Sequence, residues 1–257
     1  MPSKTFKYGY IIPIHKKDKL IERAIKSLDG FENTLIYICC TEAVQKWIEK
    51  EVEIPEGINY VYLEAADNET SYQQLVNLGL DNVGDNMEYI SILEFDDKVS
   101  PNAHEAIEPY FENDSETDIF MPLAAMVTGE DNKLQMIAML NEAPFASNVF
   151  EDYGKFDIAT MLKSNFAFVN GAYFRKSALE NYGRFKNNIE MFEDYEYILR
   201  ALNEGCQITS IPKIARFHFY NETGEFQRRK DLPQEERDKW LLTVRQEYFF
   251  DEDREIS

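Results

Sequence analysis

Three carboxylates within four residues, Glu94, Asp96 and Asp97, follow directly on the apolar run Tyr89-Ile90-Ser91-Ile92-Leu93. Such a run reads as a strand buried on both faces of a parallel sheet, and those sheets bind ligands at the carboxyl ends of their strands. Acids packed there repel one another and are costly to desolvate unless a cation neutralises them. Their hard oxygen atoms suit Mg2+ or Mn2+, metals that commonly also hold a substrate's phosphates. An acidic turn capping a helix that begins at Ser100-Pro101 accounts for the same residues without a metal, and Asp97 fits that role best. A second acidic pair, Glu193-Asp194, opens a helical pattern with Tyr195, Ile198, Leu199 and Leu202 on one face; read alone it is a favourable helix N-terminus. His218, one of three histidines, lies in Arg216-Phe217-His218-Phe219-Tyr220, where a lone strand histidine is more often structural than a ligand.

Strand and helix patterns alternate along the chain, which predicts an α/β sheet. Tyr8–Ile14 reads as a strand, and Ile21, Ala24, Ile25 and Leu28 then follow helical spacing, with Asp18 placed to cap. Thr34–Cys40 leads to a helix bearing Val44, Trp47 and Ile48, and Ile58–Leu63 to one bearing Tyr72, Leu75, Val76 and Gly79. Three such units build a nucleotide-binding type of half-sheet. After the acidic strand come a helix capped by Ser100 and a fifth strand at Asp118–Pro122. Periodicity weakens from Ala124 to Ser164, as in an insertion or lid. Ala172-Tyr173-Phe174, the helix ending before Gly205, and two short strands, Gln207–Ile211 and Ile214–Tyr220, complete a domain expected over residues 1–220. Residues 221–257 read as a loop and a helical appendage opened by Pro233.

At 257 residues the chain can bury a large core, and no apolar span reaches the roughly 18 residues of a membrane helix. The absence of a leader pattern predicts that the protein is not exported. Cys39, Cys40 and Cys206 are odd in number and read as core residues in a reducing cytoplasm. The net charge of −20 disfavours broad nonspecific binding to nucleic acid. Arg228-Arg229-Lys230, followed by Gln234-Glu235-Glu236, reads as a solvated turn.

Together these elements resemble a family 2 glycosyltransferase of the GT-A fold, over roughly residues 6 to 220. The resemblance rests on Tyr10-Ile11-Ile12-Pro13-Ile14-His15, on Ser71–Leu80 with its asparagine and glycine, on Leu93–Pro101, and on Met191-Phe192-Glu193-Asp194-Tyr195-Glu196. It implies a GT-A type nucleotide-binding mixed sheet flanked by helices, a divalent metal (Mn2+ or Mg2+) and a nucleotide-sugar co-substrate. Asp96 then matches the aspartate that ligates the metal, and His218 stands where the family often completes the metal shell; Asp97 is a further metal-side candidate. Glu94 stands where an aspartate usually contacts the donor ribose, a change that alters reach. Asp194 matches the general base of an inverting transfer, with Glu193 orienting it or the acceptor. Pro13 and His15 (with Lys16 or Lys17), Glu42 at the end of the second strand, and Arg228 and Arg229 are candidates for holding the donor.

The acceptor expected from the resemblance is a saccharide, ahead of a hydroxylated base in viral DNA, which the acidic surface disfavours. Gln227-Arg228-Arg229-Lys230 lacks the tryptophan of processive polymerases, so a single transfer is expected. Glu94, Glu42 and the His15 loop also fit a noncatalytic GT-A module that binds a glycan or partner. A nucleotidyltransferase would need a Gly-rich phosphate loop, and Pro13–Asp18 contains no glycine.

Overall fold

The computed structural model describes residues 6–68, 70–129, 133–142, 154–163, 168–221 and 231–249. Tyr8–Pro13 (β1), Thr34–Thr41 (β2), Tyr60–Ala65 (β3) and Tyr89–Ile92 (β4) pair in parallel in the order β3-β2-β1-β4. Their crossovers carry Ile21–Lys26 (α1), Glu42–Glu51 (α2) and Tyr72–Asp81 (α3). Every residue of β1 is buried: Ile11 joins one core, while Tyr10 and Ile12 join the other, so both sheet faces are covered.

Lys98–Val99 (β5), Ala103–Asn113 (α4), Ile119–Thr128 (β6), Gln135–Leu140 (β7), Ile158–Lys163 (α5), Tyr173–Arg175 (β8), Lys176–Tyr182 (α6), Glu193–Asn203 (α7), Ile208–Phe219 (β9) and Gln234–Phe249 (α8) follow. The sheet continues β4-β8-β6-β9-β5, with β7 on β6, giving nine strands among the described residues. β8 runs antiparallel to β4 and β6, while β6 and β9 run parallel. The result is a mixed sheet flanked by helices. On α7 lies α8, whose Val244 is fully buried.

Two features of α3 bear on the site. Ser71 and Gln74 form a reciprocal cap: Gln74 N donates to Ser71 Oγ (3.3 Å) and Ser71 N to Gln74 Oε1 (3.1 Å). At Gly79 a Cβ would stand 2.6 Å from Ile11 Cγ2, so the helix lies closer to β1 than any larger residue permits.

The structure redraws several predicted boundaries. Asp18 does not cap α1; its carboxylate accepts from Leu20 N (3.1 Å) in the turn before the helix. The fourth helix starts at Ala103 after Asn102, and Ser100 instead supplies a carbonyl to Ala103 N. The two predicted closing strands are one, β9, whose pairing to β6 shifts register around Pro212 and Lys213, where proline has no N–H to donate. Part of the predicted irregular region is a hairpin of β6 and β7. Met136 and Ile137 of β7 are exposed, so that strand shows no apolar alternation.

Behind the sheet, His104 of α4 stacks on Tyr8 (centroids 3.9 Å apart) and meets Phe31 edge-on. Its Nε2 is hydrogen-bonded to Tyr10 Oη (2.9 Å), which reaches Tyr173 Oη (2.6 Å). Burial disfavours the imidazolium and holds the ring's pKa down at about 4. The unfolded chain therefore takes up a proton below the ordinary histidine pKa that the folded chain refuses until near 4, so stability falls as pH falls through that window. From about pH 7.5 to about pH 5.5 the group should remove about 1 kcal/mol. Urea unfolding of the wild type and His104→Phe at both values should show this difference; an equal pH dependence in the two chains would refute it.

Candidate active site

Asp97, at 0% exposure, lies between β4 and β5. Its Oδ2 accepts from Arg216 Nη1 (2.7 Å) and is hydrogen-bonded to His218 Nδ1 (3.1 Å), and its Oδ1 accepts from Phe219 N (3.1 Å). Arg216 and His218 reach it together because they sit two apart on β9, on one side of the strand. Burial alone would raise the Asp97 carboxyl; Arg216 and His218 outweigh it and hold the group below the usual carboxylate range.

Glu94 Oε2 stands 3.7 Å from His218 Nδ1. Burial, then the charge of Asp97, raises both Glu94 and Asp96. Glu94, Asp97 and His218 offer ligand atoms within 4.8 Å of one another. Asp96 is half-buried beside this group, and its carbonyl oxygen accepts from Arg23 Nη2, whose guanidinium lies over the Phe219 ring. Carboxylates held next to an ionised neighbour, together with an imidazole, form a donor set that fits Mn2+ or Mg2+. Glu94 and His218, whose sequence contexts point to separate roles, thus share one cluster with Asp97.

Segment 168–171 connects this cluster to the second acidic pair. Asn141 clamps Phe168 from both sides, Nδ2 donating to Phe168 O (3.2 Å) and Phe168 N donating to Asn141 Oδ1 (3.0 Å). Val169 N donates to Asp194 Oδ2 (3.3 Å), Glu94 N to Asn170 Oδ1 (3.4 Å) and Gly171 N to Ile92 O (2.8 Å). Gly171 has φ +81, and a Cβ there would meet Arg216 at 3.0 Å, so the segment also backs the arginine that locks Asp97. The Glu94 N–H fixes the orientation of the Asn170 amide and leaves its Nδ2 buried with no hydrogen-bond partner among the described residues. Such an orphan donor complements a group that can accept from it, a hydroxyl among them.

Asp194 lies in the first turn of α7, next to buried Glu193. α3 sets the approach to it: Gln73 Nε2 donates to Ile189 O (2.6 Å), and Asn77 bonds both N and O of Phe185 (3.0 and 2.8 Å). Phe192, just before Glu193, is left-handed at φ +64, an uncommon conformation for a bulky side chain. One turn on, buried Glu196 pairs with Arg200 (3.0 Å) and Lys186 (3.2 Å). Burial raises the Tyr72 hydroxyl, and the charges of Asp194, Glu94 and Glu193 raise it further.

The donor-side candidates are less tightly drawn in. Pro13 ends β1, buried and paired with Cys39. His15 is exposed and meets Phe95 edge-on at 6.0 Å, with Lys16 over the same ring. Glu42 opens α2, exposed and paired with Lys46 (2.7 Å). Arg228 and Arg229 lie outside the described residues. Arg216, Asn170, Asn141 and Arg23 were not singled out from sequence; only Arg216 had a visible signal, a charge spaced two from His218 in the otherwise apolar run Ile214–Phe219.

No protein-family model matches the chain, and no curated protein matches it. Among solved structures it is similar to crystal structures of TarS from S. aureus. One is TarS 1-349 in complex with UDP-GlcNAc, at 14% identity and TM-score 0.62, covering 95% of this chain and 73% of that one. Another is TarS 1-349 in complex with UDP, at 13% identity and TM-score 0.56, covering 98% and 76%. Against a further TarS structure (14% identity, TM-score 0.56, 95% of this chain) the chain spans only 44% of the other's length. The likeness shows the fold, which is of the GT-A type.

Proposed function

We propose that this GT-A chain transfers a sugar from a nucleotide-sugar donor to an acceptor hydroxyl, once per encounter, with inversion at the anomeric carbon and with a divalent metal. One observation carries the reading: Glu94 and Asp194 are tethered to adjacent residues, Asn170 and Val169, so a metal-side acid and a base candidate share one mount. The similar structures solved with UDP and UDP-GlcNAc support a nucleotide-sugar donor. Glu94, Asp96 and His218 would hold Mn2+ or Mg2+, which when bound neutralises the diphosphate leaving group. Glu94 and Asn170 would bind donor hydroxyls, Asp194 would remove the acceptor proton, and Glu193 would steady it. Pro13, His15, Glu42, Arg228 and Arg229 remain the proposed donor contacts. A saccharide is the proposed acceptor.

A thermal-shift screen of uridine and guanosine diphosphate sugars, with and without Mn2+, tests this. A ligand at about 100 times its Kd should add about 2.7 kcal/mol, and only with metal present. A chain that no nucleotide stabilises in either condition would instead be a noncatalytic module.

A further inference from the structure

Both oxygens of Asp97 are already committed. Oδ2 carries Arg216 Nη1 at 2.7 Å and His218 Nδ1 at 3.1 Å, and Oδ1 carries Phe219 N at 3.1 Å, in a carboxylate with no solvent exposure. A cation on Oδ2 would sit against the guanidinium, and one on Oδ1 would compete with the Phe219 backbone donor. A neutral imidazole, by contrast, carries one proton, and a carboxylate acceptor at Nδ1 places it there, leaving the lone pair on Nε2. Resting on the metal reading given above, we infer that Asp97 is a positioning residue for His218 and not a metal ligand: it accepts the Nδ1 proton and so presents Nε2 to the cation held by Glu94 and Asp96.

β9 supplies the rigidity this requires. Lys98 and Val99, next to Asp97, pair with Phe217 and Arg216, while His218 pairs across to Met126 of β6. The strand therefore fixes both ends of the Asp97–His218 contact. Arg216 has a second task here: it balances a charge that would otherwise attract the cation to the wrong carboxylate.

The test is a long-range proton–nitrogen correlation spectrum of the full chain labelled with 15N-histidine, metal-free and alkaline enough for the ring to be neutral. His218 should show the Nδ1–H tautomer, and its ring signals should broaden on adding Mn2+. In Asp97→Asn the amide can turn its N–H toward Nδ1, so the ring should switch to Nε2–H and Mn2+ affinity, read from the free-ion paramagnetic signal, should fall about 10- to 100-fold. An Nε2–H ring in the wild type overturns the inference, as does an Nδ1–H ring that Mn2+ never broadens. Lost Mn2+ affinity in Asp97→Asn with an unchanged tautomer would make Asp97 a ligand and also overturn it. If Asp97→Asn fails to fold, the wild-type tautomer and broadening decide alone. Mn2+ broadening without any nucleotide affinity would sink the transferase reading and leave the ring assignment standing.

Discussion

Asp194→Asn is expected to slow sugar transfer by about 10²- to 10⁴-fold, the usual contribution of a positioned general base. Asparagine keeps the shape of the side chain and an oxygen able to accept from Val169 N, so the loop should hold its place. What disappears is basicity. Asp194 is mounted beside Asn170 and not within the Glu94–Asp97–His218 cluster, so nucleotide affinity measured by calorimetry should stay within about twofold, and the loss should fall on kcat. Glu193→Gln, at a side chain buried beside the base, should cost less. Transfer by Asp194→Asn within about tenfold of wild type would remove Asp194 from the role of base.

Arg216→Met should be the most destabilising single change at the site, by about 3–5 kcal/mol, because it leaves a buried carboxylate without its cation. That is a large share of the roughly 5–15 kcal/mol that holds a domain together. Guanidinium unfolding curves measure it. Asp97→Leu combined with Arg216→Met removes both charges and should recover part of the loss, since a buried pair replaced by apolar groups is often close to neutral. Recovery will be incomplete because Phe219 N and His218 Nδ1 lose their acceptor. A single variant within about 1 kcal/mol of wild type would mean that water reaches Asp97.

The parallel half of the sheet was legible because β1, β2 and β4 are buried on both faces as near-continuous apolar runs and each helix shows its stripe, whereas the edge strand β3 keeps Tyr60 and Val61 exposed. β9 reads as two strands in the sequence because Pro212 interrupts the pattern, and β7 gives no strand signal because Met136 and Ile137 both face outward. At the site, the acids announced themselves through their placement after apolar runs. Their division of labour did not: that Glu94 and Asp97 share His218, with Asp96 alongside, depends on the pairing of β5 with β9, which brings together residues more than a hundred positions apart. The clamp from Asn141 to Phe168 and the bond from Glu94 N to Asn170 are long-range hydrogen bonding, to which a periodicity reading is blind.

Phe192 holds a left-handed backbone at the threshold of α7, a conformation that costs a side chain of its size about 1–3 kcal/mol and that glycine or asparagine would adopt with less strain. Its ring packs against the core cluster that includes Tyr195 and Ile198 and so ties the turn to the helix bearing Asp194. Two selections would treat this position differently. Variants chosen for heat tolerance alone should drift to asparagine or glycine at 192, whereas variants chosen for turnover should keep the phenylalanine, making one residue a marker of which pressure a population has experienced.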